Sequence, residues 1–162
     1  MRRIGVAIAV IFILLAAIFL ALGIAKADET RFILCDPKPT NHVAVRRSPK
    51  KGAEETGRLF CGDEILTDGK TKNGYLHILG MTEYGEGWVH QGYVVDDQPV
   101  IEKCNATIAA NGRVMSWRYI GNKKNGWLDV CTEVKVYARS DEWAVTSRGY
   151  IRTKYLEVWH GD

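Results

Sequence analysis

The chain has 162 residues, with 22 lysines and arginines against 19 aspartates and glutamates. Three of the basic residues, Arg2, Arg3 and Lys26, lie in the first 27 positions with no acid beside them, so the remainder is formally neutral. The charges are interspersed, which excludes the concentrated basic face of a nucleic-acid binder; their expected role is to solvate the surface.

Arg2 and Arg3 precede a charge-free apolar run over residues 4–25, and Ala25-Lys26-Ala27 ends it with small residues at the outer positions. A charged start, an apolar middle and a small-x-small end are the parts of a secretory signal. About 20 apolar residues also suffice to span a bilayer as a helix. Residues 1–27 are therefore read as a signal peptide, with cleavage after Ala27 preferred, or as a retained anchor. Either way the rest lies outside the cytoplasm, secreted or membrane-anchored at the cell envelope. Membrane contact is expected only through residues 4–25.

After the leader, short β-type runs alternate with turn signals and no long helical period appears. Val43-Ala44-Val45 alternates and ends in Arg46-Arg47-Ser48-Pro49, and Pro49 and Gly52 mark a loop. Residues 59–67 read as a strand, and Asn73-Gly74 is a strong hairpin signal. Residues 75–79 form the next strand, residues 81–86 a loop around Tyr84, and Trp88-Val89-His90 a further strand. Asp96-Asp97-Gln98-Pro99 reads as a short linker. Beyond it, Met115-Ser116-Trp117-Arg118 corresponds to Val43-Ala44-Val45-Arg46, residues 122–126 to a loop, and residues 132–139 to a strand. Ser140-Asp141 turns the chain into Glu142-Trp143-Ala144-Val145-Thr146, and Gly149-Tyr150-Ile151 closes it.

The two halves thus share one order of landmarks. Gly87-Trp88-Val89 with Tyr93 matches Gly149-Tyr150-Ile151 with Tyr155, and the cysteines are spaced by 26 residues in Cys35–Cys61 and 27 in Cys104–Cys131. A duplicated module of roughly 65 residues suits two small domains, a first at 28–98 and a second, more diverged, at 99–162. Four cysteines in an exported chain read as two disulfides. Three connectivities are open, and the repeat favours Cys35–Cys61 and Cys104–Cys131. Zinc is disfavoured because no C-x₂₋₄-C knuckle is present; no metal and no cofactor are expected.

The order Val43 to Pro49, Gly62-Asp63-Glu64, Asn73-Gly74-Tyr75, Gly87-Trp88-Val89 and Tyr93 resembles a bacterial Src-homology-3-like (SH3-like) domain. The second module is similar but lacks the proline after Arg118 and has Thr132 in place of Gly-Asp. The resemblance implies an all-β chain of two small SH3-like barrels in tandem. It also implies a non-catalytic envelope role, often the binding of wall peptides.

No catalytic set stands out. A cysteine peptidase needs a free thiolate beside a histidine, whereas the four cysteines are better used as disulfides. His42, His77, His90 and His160 do not recur between modules, and no phosphate loop or serine elbow is present. What remains is aromatic: five tryptophans and seven tyrosines suit grooves that hold extended peptides or sugars. The candidate ligand-facing residues are Arg46, Arg47, Tyr75, Tyr84, Trp88, Tyr93, Trp117, Trp143 and Tyr155. The expected function is recognition of cell-wall peptide or another envelope component, with no nucleic acid among the partners. A structural or protein-interaction module, an adaptor or inhibitor at the cell surface, is the alternative.

Overall fold

The computed structural model describes residues 28–80 and 85–159. The leader and Tyr84 lie outside the described residues. The described chain is almost entirely β, arranged as two antiparallel seven-stranded sheets. The first sheet contains β1 (Glu29–Ile33), β2 (Val43–Arg46), β3 (Glu55–Leu59), β4 (Glu64–Lys72), β5 (Tyr75–Ile78), β6 (Gly87–His90) and β7 (Val94–Val95). The second contains β8 (Cys104–Ile108), β9 (Val114–Tyr119), β10 (Asn122–Leu128), β11 (Glu133–Arg139), β12 (Trp143–Thr146), β13 (Gly149–Arg152) and β14 (Leu156–Trp159). The orders are β3-β2-β6-β5-β4-β1-β7 and β10-β9-β13-β12-β11-β8-β14. Adding seven to each label converts one into the other, so the duplication extends to topology.

Local chemistry accounts for the strands and their breaks. In β2, Val43 and Val45 are buried while Ala44 and Arg46 face outward, the period-two pattern of a half-buried strand. Asn73 (φ 53°) and Gly74 (φ 79°) both occupy the left-handed region, the backbone of a two-residue hairpin loop. Gly87 has a different reason to be glycine: a Cβ there would sit 2.4 Å from Val45 Cγ1. The run 59–67 is not one strand. The chain turns at Phe60–Asp63, where Asp63 Oδ2 accepts the Phe60 N–H at 2.8 Å and so separates β3 from β4. Residues 122–126 are likewise not a loop but the start of β10, because the hairpin turns one step earlier, between Tyr119 and its partner Asn122.

Strand pairing also corrects the alignment of the repeats. Arg46 stands opposite Trp88, and Trp117 opposite Tyr150, so Arg46 is equivalent to Trp117 and Val45 to Ser116. The expected alignment was off by one residue, which would have reversed every side chain. Ser116 is 1% exposed and fills the place of a valine, and its hydroxyl donates to the Gly126 carbonyl at 3.2 Å.

Each module has its own core. Ile33, Val43, Val45, Leu59, Ile65, Leu76, Ile78 and Val89 form the first. Ala106, Ile108, Val114, Val134, Val136, Ala144 and Ile151 form the second. A third cluster draws on both modules: Leu34 and Val95 from one, and Ala138, Trp143, Val145 and Tyr150 from the other. Burying an aliphatic side chain of this kind contributes about 1.5–3 kcal/mol, so the shared cluster couples the two modules strongly. Polar contacts fix its geometry. The Tyr150 hydroxyl donates to the Leu34 carbonyl at 2.8 Å. The Ile120 N–H donates to the Gly92 carbonyl at 3.0 Å, and Val100 and Arg139 exchange backbone hydrogen bonds at 2.8 and 3.0 Å. The start of the linker is tied to both modules: Asp96 pairs with Arg31 of the first at 2.6 Å, and Asp97 accepts the Asp141 N–H of the second at 2.6 Å.

Two substitutions test this coupling. A Cβ at Gly92 would lie 2.4 Å from Tyr119 Cβ across the junction, and Tyr150→Phe leaves the buried Leu34 carbonyl without its donor. Tyr150→Phe is expected to cost about 1–3 kcal/mol and Gly92→Ala at least as much. Urea unfolding followed separately by tryptophan fluorescence and far-ultraviolet circular dichroism should give one coincident transition in the parent and in both variants. Two separable transitions in the parent would contradict a shared core.

Candidate functional site

Two grooves occupy equivalent places in the two modules. The first, about 620 Å³, is lined by residues that include Val43, Ala44, Arg46, Tyr75, His90 and Tyr93. The second, about 820 Å³, is lined by residues that include Val114, Met115, Trp117, Trp143, Arg152 and Tyr155. Strand register makes these six positions correspond one to one. Tyr75 opposes His90 as Trp143 opposes Arg152, and Arg46 opposes Trp88 as Trp117 opposes Tyr150. The last pair of each set, Tyr93 and Tyr155, ends a short 3-10 helix, Gln91–Tyr93 or Thr153–Tyr155, that leads into the closing strand.

The first groove has an aromatic floor. His90 lies 5.3 Å from Tyr75, 5.9 Å from Tyr93 and 4.7 Å from Tyr119, ring centroid to ring centroid. Tyr119 comes from the second module and meets Tyr93 edge-on at 5.5 Å. His90 Nδ1 accepts the Gly92 N–H at 3.1 Å, which places the proton of the neutral ring on Nε2. Burial lowers the His90 pKa from its ordinary value. Burial, with Tyr119 nearby, pushes the Tyr93 hydroxyl up to about 12. At neutral pH the floor is therefore uncharged, while Arg46, Lys50, Lys51 and Lys123 stand around its rim. Arg46 is oriented by donating from Nη1 to the Ala53 carbonyl at 2.7 Å.

The second groove is built differently at the same positions. The Arg152 guanidinium lies 4.2 Å from the Trp143 ring centroid and also pairs with Glu142. Lys154 lies 5.0 Å over Tyr155, and Arg113 pairs with Asp129 at 2.9 Å. Trp127 on β10 lines this groove while 59% exposed. Trp143 serves two purposes: one face lines the groove, and the residue also belongs to the buried cluster between the modules.

Six of the expected ligand-facing residues thus fall into grooves: Arg46, Tyr75 and Tyr93 in the first, and Trp117, Trp143 and Tyr155 in the second. Two do not. Arg47 points to solvent and pairs with Glu54 at 2.9 Å. Trp88 lies against His77 at 4.9 Å and lines neither groove. The reasons differ: Arg47 lies just past the end of β2, whereas Trp88 shares a face of β6 with His90 but lies beside His77 rather than at the groove. Sequence reasoning missed His90, Tyr119, Trp127 and Arg152. His90 and Arg152 were readable once Tyr75 and Trp143 were aligned; Tyr119 was not, because it reaches the first groove only through the packing of the modules.

The cysteines form one close pair rather than two. All four are free thiols in the structure. The Cys35 N–H points at Cys61 Sγ at 3.5 Å. A thiol hydrogen bond between the two, with burial, raises the Cys35 pKa, and the same bond lowers that of Cys61. Cys104 and Cys131 lie at opposite ends of β8. Cys104 begins the strand, while the Cys131 N–H donates to the carbonyl of Ile108 at its end. Four strand residues span about 13 Å, well beyond the roughly 7 Å at which two Cα atoms can be bridged. The expected Cys104–Cys131 bond is therefore corrected. The cysteine spacing misled because Cys131 stands where the first module has Gly62, both with positive φ (61° and 90°), and Cys104 stands where it has Glu29.

Among the described residues no group of three or more His, Cys, Asp or Glu side chains is placed to hold a metal ion, and no helix is long and apolar enough to cross a membrane. His77 does meet a carboxylate, Asp68, at 3.1 Å. Burial pulls the Asp68 pKa up, but hydrogen bonds from Lys70 and His77 prevail and hold it at about 2.

No family model and no curated protein matches the chain. Among solved structures, NlpC1 from Trichomonas vaginalis is similar at 14% identity over 82% of this chain and 46% of its own, with a TM-score of 0.35. NlpC2 from the same organism is similar at 12% identity over 82% of this chain and 48% of its own, also with a TM-score of 0.35. The chain spans under half the length of either protein, and likeness at this level carries no argument about fold or function.

Two predictions follow from the groove and the thiols. His90 is more easily protonated unfolded than folded, so its contribution to stability is complete above the ordinary histidine pKa of about 6.5 and is lost as pH falls below it. Unfolding free energy measured between about pH 8 and pH 5 should fall on the acid side, and His90→Asn should flatten that slope. An unchanged slope in the variant would remove His90 from this role. After mild oxidation, peptide mapping should link Cys35 to Cys61 and leave Cys104 and Cys131 open to alkylation; recovery of a Cys104–Cys131 peptide would contradict the strand register.

Proposed function

We propose that this chain is an exported protein of two tandem SH3-like domains that binds extended peptides of the cell wall without catalysis. The observation that carries the reading is the recurrence of the groove. A chance depression in one module has no reason to reappear at the same six positions in the other. It reappears lined again by aromatic side chains, although the residues differ: Tyr75 and Trp143 at one position, Tyr93 and Tyr155 at another. Aromatic walls supply large apolar area with few rotors, and strand edges supply backbone partners for an extended ligand. The resemblance of Val43 to Pro49, Gly62-Asp63-Glu64, Asn73-Gly74-Tyr75 and Gly87-Trp88-Val89 to SH3-like domains gives the module class. The leader over residues 1–27 gives the compartment.

Trp127 offers a clean test because it lines the second groove while largely exposed, so its removal leaves little cavity. Trp127→Ala is expected to weaken co-sedimentation with purified cell wall about tenfold, as loss of an aromatic anchor does, with a melting temperature within about 2 °C of the parent. Parent protein that stays in the supernatant with intact wall would refute the reading.

A further inference from the structure

Resting on that reading, we propose that the first groove is a composite site, completed by the second module, that takes the carboxylate of an acidic peptide. The two grooves share position but not electrostatics. Arg46, Lys50, Lys51 and Lys123 surround the first, and none of them has a carboxylate partner among the described residues. The lining holds one acid, Glu55, and it is already engaged by His42 at 3.3 Å and Arg58 at 3.0 Å. Several cations elsewhere are matched, Arg31 to Asp96, Lys38 to Asp36, Arg47 to Glu54 and Lys70 to Asp68. The second groove differs from the first, since two of its three lining cations, Arg113 and Arg152, are committed to Asp129 and Glu142. In a chain that is formally neutral beyond its leader, four unmatched cations around one aromatic floor form a local excess of positive charge. An anionic ligand would complete it, and a guanidinium beside ammonium groups suits a carboxylate.

The composite character comes from the β9–β10 hairpin of the second module. That hairpin puts Tyr119 on the floor and Lys123 on the rim of the first module's groove. The Ile120 N–H bond to the Gly92 carbonyl and the packing of Tyr119 against His90 and Tyr93 hold it there. A peptide is favoured over a larger polyanion because the unmatched charge is confined to one groove of about 620 Å³ with ring surfaces beneath it.

The test uses the intact exported chain and a synthetic wall-stem pentapeptide, once with a free C-terminal carboxylate and once as its carboxamide, by titration calorimetry. In about 50 mM salt the acid should bind about tenfold more tightly than the amide, and the gap should shrink toward unity at about 0.5 M, where the screening length falls to a few ångströms. Lys123→Gln should reduce acid affinity by about threefold or more without changing amide affinity, whereas Lys135→Gln, the same charge change on β11, should leave both unchanged. Equal binding of acid and amide would overturn the carboxylate assignment while leaving the peptide-binding reading intact. Failure of both peptides to bind would overturn the two together. An acid-to-amide ratio untouched by Lys123→Gln would show that the second module does not complete the site.

Discussion

The burial of Tyr150 at the seam between the modules organises the rest of the molecule. Its ring packs with Leu34, Val95, Trp143 and Val145, and its hydroxyl satisfies the Leu34 carbonyl at 2.8 Å. A buried carbonyl left alone costs about 1–3 kcal/mol, so this contact specifies orientation as well as adding stability. Neither module is large enough to bury a deep core: the second relies on two alanines among the seven residues of its cluster. Sharing a third cluster gives each the apolar burial that a domain of this size lacks.

That seam is asymmetric, and function follows from the asymmetry. Tyr150 and Trp88 are equivalent, yet Tyr150 is buried against the first module while Trp88 packs beside His77 within its own module. The modules therefore pack front to back rather than face to face. One consequence is that a hairpin of the second module reaches the groove of the first, while nothing in the described chain reaches the groove of the second in the same way. Duplication supplied two similar grooves. Docking made them different, one rimmed by four unmatched cations and one with two of its three cations already paired.

Much of this was legible from residues. Asn73-Gly74 announced its hairpin, and Gly87-Trp88-Val89 and Gly149-Tyr150-Ile151 announced equivalent strands, because such signals rest on local backbone chemistry. Tyr75 and Trp143 were both expected among the ligand-facing residues, and both line grooves. The cysteines were a poorer guide. Their spacing matched by coincidence, while the true equivalents of Cys35 and Cys61 in the second module are Ala110 and Val130, as the bonds of Ile33 and Ile108 to the following turns show. The strand break at Phe60–Asp63 was missed although Gly62 (φ 90°) lies in it, because the apolar residues flanking it read as one run and the turn is completed by the Asp63 side chain accepting the Phe60 N–H. Tyr119 and Lys123 were beyond reach of any local rule, since their role depends on the placement of one module against the other.

Amide hydrogen exchange tests that placement most directly. The N–H of Ile120 donates across the junction to the Gly92 carbonyl. If the modules form one unit, this amide should exchange as slowly as the core amides of Val45 and Ile151, because all three open only on global unfolding. Exchange of Ile120 near the free-peptide rate, with Val45 and Ile151 still protected, would show that the modules move independently and that the composite groove does not exist.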